Sequence, residues 1–132
     1  MNFGRKKRLT DYAGTDMWPA WSPDGQRIAF FSDRDGDAHI WLVAATGGAP
    51  ERLTEQEGNL PRWAPDGETV YFVRGRDEYW AITLAARTER LVADLSGKPG
   101  KRGQYATDGE YLYFTWEERL GDIWVMDVVW DE

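Results

Sequence analysis

Apolar residues in this chain come in short bursts separated by clusters of Gly, Pro, Asp and Ser. The bursts are rich in β-branched and aromatic side chains, as in Arg27-Ile28-Ala29-Phe30-Phe31-Ser32 and Thr69-Val70-Tyr71-Phe72-Val73. This pattern predicts strands, because the bursts are too short for amphipathic helices and are bounded by turn residues. Stretches such as Ile28-Ala29-Phe30-Phe31 are apolar on both faces. A sheet with one wet face alternates more cleanly, so these strands are expected in sheets covered on both sides.

The bursts recur. Pro19-Ala20-Trp21-Ser22-Pro23-Asp24-Gly25 returns as Pro61-Arg62-Trp63-Ala64-Pro65-Asp66-Gly67, and again, weakened, as Gly103-Gln104-Tyr105-Ala106-Thr107-Asp108-Gly109. The three Asp residues are spaced by 42 positions each time, and Phe30, Phe72 and Phe114 follow at a constant offset. A strand carrying Trp comes next in each unit: Ile40–Val43, Tyr79–Ile82 and Ile123–Met126. The pairs Leu9-Thr10, Leu53-Thr54 and Leu91-Val92 also recur. A period near 42 with several short strands is the sequence sign of a propeller blade.

Each unit reads as four strands, A to D. Strand A is the Trp-Ser/Ala-Pro segment, and Asp-Gly makes the turn into strand B at Arg27–Ser32, Thr69–Val73 or Tyr111–Trp116. Strand C carries the Trp, and strand D follows, as at Glu51–Thr54. The segments Trp21-Ser22-Pro23-Asp24-Gly25-Gln26-Arg27-Ile28-Ala29-Phe30, Ser32-Asp33-Arg34-Asp35-Gly36, Ile40-Trp41 and Gly47-Gly48 resemble the TolB-type, WD-like β-propeller repeat. The resemblance spans about Arg8 to Val128, and it implies a ring that commonly has six blades. It also implies protein–protein recognition, as in envelope-associated TolB-like proteins. Similar propellers accompany prolyl oligopeptidase-like and tricorn-like peptidases, so a substrate-gating piece of a larger hydrolase is the alternative.

The expected fold is therefore all-β, a propeller of four-stranded blades with three blades per chain. Residues 1–10 read as a closing strand, 11–54 as the first blade, 55–94 as the second and 95–132 as a third lacking its last strand. Lys6-Lys7-Arg8-Leu9-Thr10 matches Pro50-Glu51-Arg52-Leu53-Thr54, which makes it a strand D displaced to the other end. Three blades do not close, and propellers have about four to eight. The expectation is a homodimer forming one six-bladed ring, with Lys7, Arg8, Leu9 and Thr10 of one copy pairing with Ile123, Trp124, Val125 and Met126 of the other. Each junction would bury an interface of standard size, roughly 1,600 Å². A C₂ ring of this kind closes rather than growing into a fibre.

Composition narrows the function. The 132 residues include 16 Lys plus Arg against 23 Asp plus Glu, a net charge of −7. Such a chain lacks the basic footprint of nucleic-acid binding. Cysteine is absent and His39 is the single histidine, which excludes thiolate sites and His-rich metal sites within one chain. No run approaches the ~20 apolar residues of a membrane span, and Met1–Arg8 has no apolar segment of a signal peptide. A full-length chain is expected in the cytoplasm; a fragment of an exported protein leaves that open.

Candidate chemistry is sparse. Asp24-Gly25, Asp66-Gly67 and Asp108-Gly109 recur in every unit, so turn chemistry accounts for them better than acid–base work. Asp33, Asp35 and Asp37 alternate as hard-cation ligands do, but a solvated hairpin loop is the stronger reading. His39 is a conceivable general base for Ser22, Ser32 or Ser96, yet none of these serines lies in a Gly-x-Ser-x-Gly elbow. Arg5-Lys6-Lys7-Arg8 reads as a charged edge strand rather than a localisation or anion-binding patch. Trp21, Trp41, Trp63, Trp80 and Trp124 occupy repeat positions and are expected in the core; Trp18, Trp116 and Trp130 are expected to make exposed contacts. The chain is accordingly expected to be a non-catalytic binding or scaffold module with no cofactor. Its partners would be itself and a protein or peptide at the ring face.

Overall fold

The Asp-Gly pairs set the local geometry first. In the first unit the Asp24 carboxylate accepts the Ser22 hydroxyl at 2.6 Å and the Gln26 N–H at 2.9 Å. Gly25 follows with φ +72°, and Gly67 and Gly109 repeat this with φ +70° and +94°. Only glycine adopts that region without strain. Asp66 and Asp108 accept backbone N–H bonds from Glu68 and Thr69 and from Glu110 and Tyr111. Each turn thus returns the chain antiparallel onto the strand before it.

A computed structural model describes residues 4, 6–117 and 121–127. Among these the secondary structure is β only, in three antiparallel sheets. The first contains β1 (Asp16–Trp21), β2 (Arg27–Ser32), β3 (His39–Ala44) and β4 (Glu51–Arg52). The second contains β5 (Asn59–Trp63), β6 (Thr69–Arg74), β7 (Glu78–Thr83) and β8 (Thr88–Asp94). The third contains β9 (Lys101–Thr107), β10 (Tyr111–Glu117) and β11 (Gly121–Asp127). Strand order follows chain order within each sheet, so every pairing is a hairpin. Phe30 faces Trp41, Phe72 faces Trp80 and Phe114 faces Trp124 across the central ladders, which fixes the same register in all three sheets.

The sheets stack face to face. Ala29, Ile40, Leu42 and Leu53 of the first unit pack on Trp63, Val70, Phe72 and Ile82 of the second. Tyr71, Val73, Tyr79 and Ala81 of the second pack on Tyr105, Leu112 and Phe114 of the third. The middle sheet is therefore covered on both sides, and every residue of β6 is buried. That is why its four central residues, Val70–Val73, are all apolar instead of alternating.

Innermost strands carry a shared irregularity. The β1–β2 register shifts between Met17 and Ala20, with Trp18 at φ 53°, and the β5–β6 register shifts between Asn59 and Arg62, with Leu60 at φ 49°. Both residues precede a proline, Pro19 and Pro61. Each bulge adds one residue and bends the strand, a local conformation that only surrounding packing can hold.

Residues 6–10, expected as a strand, form none. Pairing requires a neighbouring strand edge, and the edge this segment was expected to extend belongs to the third sheet of a second copy, so a single chain offers it none. Leu9 packs instead on the outer face of the first sheet, against Ile28, Phe30, Trp41 and Val43. Lys7 Nζ donates to the Thr46 carbonyl at 2.6 Å. The other strands lie within a few residues of their expected bounds, except that strand A ends at Trp21 and Trp63 rather than running past them.

Gly58 is buried where the first two sheets meet, and a Cβ there would lie 2.9 Å from Phe72 Cδ2 and 3.2 Å from Ile40 Cγ1. Gly58→Ala is expected to destabilise the fold by about 1–3 kcal/mol through overpacking, read as a lower urea midpoint with an unchanged slope. The Ser22 hydroxyl holds Asp24 below the usual carboxylate range, and the Tyr111 N–H does the same for Asp108. A depressed folded pKa contributes stability that is present above about pH 4 and is lost as pH falls through the folded value. Thermal melts between pH 6 and 2 should fall more steeply for the wild type than for Asp24→Asn/Asp108→Asn.

Candidate functional site

Among the described residues, two faces of the stack have no sheet against them, and they are built from the same repeat positions that are buried inside it. At the end of the chain, Tyr113, Ile123 and Val125 occupy the register positions of Ala29, Ile40 and Leu42. The latter three are buried, whereas Ile123 is 80% and Val125 59% exposed. This face carries a shallow cavity of about 210 Å³ bounded by Gln104, Tyr105, Tyr113, Thr115 and Ile123.

The outward edge of β11 is also open. In the first sheet the Ile40 carbonyl accepts the Leu53 N–H at 2.8 Å, and the Ile40 N–H donates to Thr54 Oγ1 at 3.1 Å. Ile123 takes the place of Ile40 in β11, where no fourth strand is present among the described residues.

At the start of the chain, the outer face of the first sheet holds Ile28, Phe30, Trp41 and Val43. Leu9 covers part of it, as Leu53 covers the matching face of the second sheet. A cavity of about 200 Å³ remains beside Leu9, Met17, Ile28, Phe30 and Val43. Arg34 clamps the rim: its guanidinium lies 5.1 Å from the Trp41 ring, 5.6 Å from Phe30 and 5.1 Å from Tyr12, and it pairs with Asp16 at 2.9 Å. Burial raises the Asp16 pKa, but hydrogen bonds from Ser32, Thr10 and Arg34 outweigh it and hold the carboxyl below its ordinary value. The Trp41 indole N–H is buried with no protein partner. Trp80 donates to Glu78 two residues before it, and His39 stands at that position in the first sheet.

Between neighbouring sheets an aromatic donor at one repeat position makes the joint twice, to carbonyls two repeat positions apart. Trp63 Nε1 donates to the Ala20 carbonyl at 2.8 Å, with the Arg27 guanidinium 5.3 Å from its ring. The Tyr105 hydroxyl donates to the Leu60 carbonyl at 2.6 Å, with Arg62 at 5.6 Å. Burial pushes the Tyr105 pKa far up, so the hydroxyl stays a proton donor. Trp21 holds the same repeat position but is 59% exposed.

The remaining sequence candidates are dispersed. The carboxylate of Asp33 accepts the Thr15 N–H at 3.0 Å, Asp35 pairs with Arg52 at 3.3 Å, and Asp37 lines a polar hollow with His39, Arg52, Glu55 and Glu57. Among the described residues no three His, Cys, Asp or Glu side chains cluster as a metal site. His39 is buried at the start of β3, with Nδ1 2.9 Å from the Gln56 carbonyl and 3.3 Å from Thr54 Oγ1. Ser22 donates to Asp24, and Ser32, opposite His39 across the β2–β3 ladder, accepts from Arg34. Arg8 pairs with Asp11 at 3.4 Å; Arg5 and Trp130 lie outside the described residues.

The tryptophan assignment needs correction. Trp21 and Trp124, expected in the core, are exposed: no sheet lies against Trp21 among the described residues, and Trp124, on the face it shares with Phe114, packs on Trp116 while remaining half in solvent. Trp116, expected to be exposed, is half-buried against the second sheet with Arg102 5.0 Å from its ring. The periodicity of the aromatic positions was the signal for a shared joint, but sequence offered no sign of which copy would lack its receiving face.

Known proteins show the same architecture. The solved TolB from Acinetobacter baumannii superposes with a TM-score of 0.72 at 26% identity, covering 90% of this chain and 31% of that one. The solved putative TolB from Agrobacterium tumefaciens gives 0.69 at 20% identity, covering 86% of this chain and 46% of that one. A 51-residue stretch, 38% of this chain and 7% of the relative, is 43% identical to the uncharacterized peptidase YuxL of Bacillus subtilis (strain 168). The chain thus spans less than half the length of each of these relatives. The family model described as "TolB beta propeller domain" matches residues 1–129, and with its stacked antiparallel sheets this chain belongs to the TolB beta propeller domain family.

Proposed function

We propose that the chain is a non-catalytic β-propeller binding module whose ring is completed by a second copy. The observation that supports this reading is the match between its two uncovered ends. One end presents the outward edge of β11 without a fourth strand; the other presents Leu9 in the packing position of Leu53 without a sheet of its own. Joining two copies would give each segment the partner it lacks and close six blades, within the range of about four to eight seen in propellers.

Charge favours the same pairing. Residues 1–10 contain four cations and no carboxylate, whereas residues 117–132 contain six carboxylates and one arginine. Opposite patches of this kind steer association. Blade loops at the ring faces would then present the surface for a protein or peptide partner. Among the described residues, His39 Nδ1 faces the Gln56 carbonyl and Thr54 rather than a serine hydroxyl.

A second reading is favoured by the 43% identity to a peptidase. In it, the chain supplies part of the propeller of a larger hydrolase, and the missing faces are filled by blades of the same polypeptide.

Light scattering on a size-exclusion column separates the two. The ring predicts a mass near twice 15.2 kDa. Val125→Pro removes an N–H on the open side of β11, an edge position that tolerates proline, and is expected to give a folded monomer. A wild-type monomer would overturn the two-copy ring and favour the larger-propeller reading. No hydrolysis of aminoacyl or peptidyl chromogenic substrates is expected from the isolated chain.

A further inference from the structure

The aromatic joint between sheets has a direction. In both internal copies, the aromatic residue of a sheet's first strand reaches back and donates to a carbonyl of the preceding sheet's first strand: Trp63 to Ala20, and the shorter-reaching Tyr105 to Leu60, two repeat positions earlier. Trp21, an indole like Trp63, has the Trp63 joint as its counterpart. Both aromatic side chains are buried. Trp21 is the third member of the series and the one with no preceding strand among the described residues. Its indole is 59% exposed, although the residues around it follow the same pattern.

The receiving surface also exists without its guest. Trp63 sits against the face that carries Ala20 and Ala29. Two repeats further on, those positions are Gln104 and Tyr113. Gln104 and Tyr113 line the open cavity at the end of the chain. The reverse contact is matched as well. Ile40 and Leu42 pack on Val70, Phe72 and Ile82. Their counterparts Ile123 and Val125 are exposed, and the counterparts of the surface they would cover, Ile28, Phe30 and Val43, line the cavity at the start of the chain. Each end therefore carries the guest for the other end and the hollow that receives it.

We propose that Trp21 is a latch that acts between two copies of this chain: its indole docks beside Tyr113 of the second copy and donates to the Gln104 carbonyl. The inference rests on the two-copy ring and adds the residue that locks it. Twofold symmetry places the latch at both junctions, so one side chain is used twice. Tryptophan at the centre of a desolvated joint is the residue type that dominates interface affinity. The Tyr113 ring in place of Ala29 makes this joint bulkier than the one at Trp63, so the Trp21 and Tyr113 rings share the contact.

Sedimentation over a dilution series tests the latch, combined with hydrogen exchange of the indole N–H groups in a ¹⁵N-labelled chain. Trp21→Phe removes one of the eight indole signals and so assigns it. Trp21→Ala should weaken self-association by about 30-fold or more, the size of a hot-spot truncation. Trp21→Phe, which keeps a ring but loses the N–H, should weaken it by about tenfold. Because Trp21 is exposed in the single chain, neither variant should change the circular dichroism of the dilute monomer. The Trp21 indole N–H should exchange at least about tenfold more slowly in the wild-type dimer than in the Val125→Pro monomer. A wild-type dimer that Trp21→Ala leaves equally tight, or in which the Trp21 indole exchanges as fast as in the monomer, overturns the latch and leaves the ring standing. A wild type that stays monomeric at its highest soluble concentration overturns both, and assigns the Trp21 site to a blade that a second copy does not supply.

Discussion

A sheet with two apolar faces is stable in water only when both are covered, and that requirement organises this chain. The middle sheet meets it fully: Tyr71, Phe72, Val70 and Val73 of one strand alternate between neighbours on either side. Neither outer sheet has that cover from a second sheet. Leu9 and Arg34 shelter part of the first, and the third leaves Ile123 and Val125 in solvent. Burying a large apolar side chain contributes roughly 1.5–3 kcal/mol, so a few such residues at each end make association favourable by default. Exposed strand edges add to this, because an unpaired ladder pairs with whatever strand reaches it.

The joints between sheets combine that apolar contact with directed polar bonds. Trp63 and Tyr105 each bury a ring and satisfy a carbonyl on the neighbouring innermost strand. Arginines brace the same region, stacking on the aromatic rings and reaching backbone oxygens, as Arg62 does with the Tyr105 carbonyl. Further out, Arg74 lies 4.5 Å from the Trp80 ring while pairing with Glu89 at 2.6 Å, and Arg102 stacks on Trp116 while pairing with Asp77 at 3.0 Å. These pairs are largely shielded from water, so removing one partner would leave a charge poorly compensated. The bonds set the angle and register between blades, which the apolar surfaces alone would leave loose.

Much of the fold was legible because local chemistry repeats. The Asp-Gly turns, the central strands and the Phe–Trp register all follow from short-range rules about turns and pleated pairs. The exposed end was less legible. Trp21, Trp63 and Tyr105 hold one position in the repeat, yet Trp21 is exposed while the other two are buried, because burial depends on the neighbour and not on the motif. Trp116 was misjudged for the same reason: it sits outside the recurring positions but falls under the second sheet. Residues 6–10 show it most directly: Arg8-Leu9-Thr10 repeats Arg52-Leu53-Thr54, yet within one chain the segment meets no strand edge and pairs with none.

By itself, the sequence determined what is decided within about 42 residues: an all-β chain, three related units, turns at Asp24-Gly25, Asp66-Gly67 and Asp108-Gly109, and strands too apolar to tolerate water on either face. Tertiary structure alone decided which of those faces stay open, that Leu9 covers one of them without pairing, and that the bulges at Trp18 and Leu60 bend the innermost strands. The reason is physical. Turn and pairing preferences act between residues close along the chain, whereas burial is a property of two surfaces meeting, and in a repeat protein the end units carry the same residues as the middle one with one surface fewer to meet.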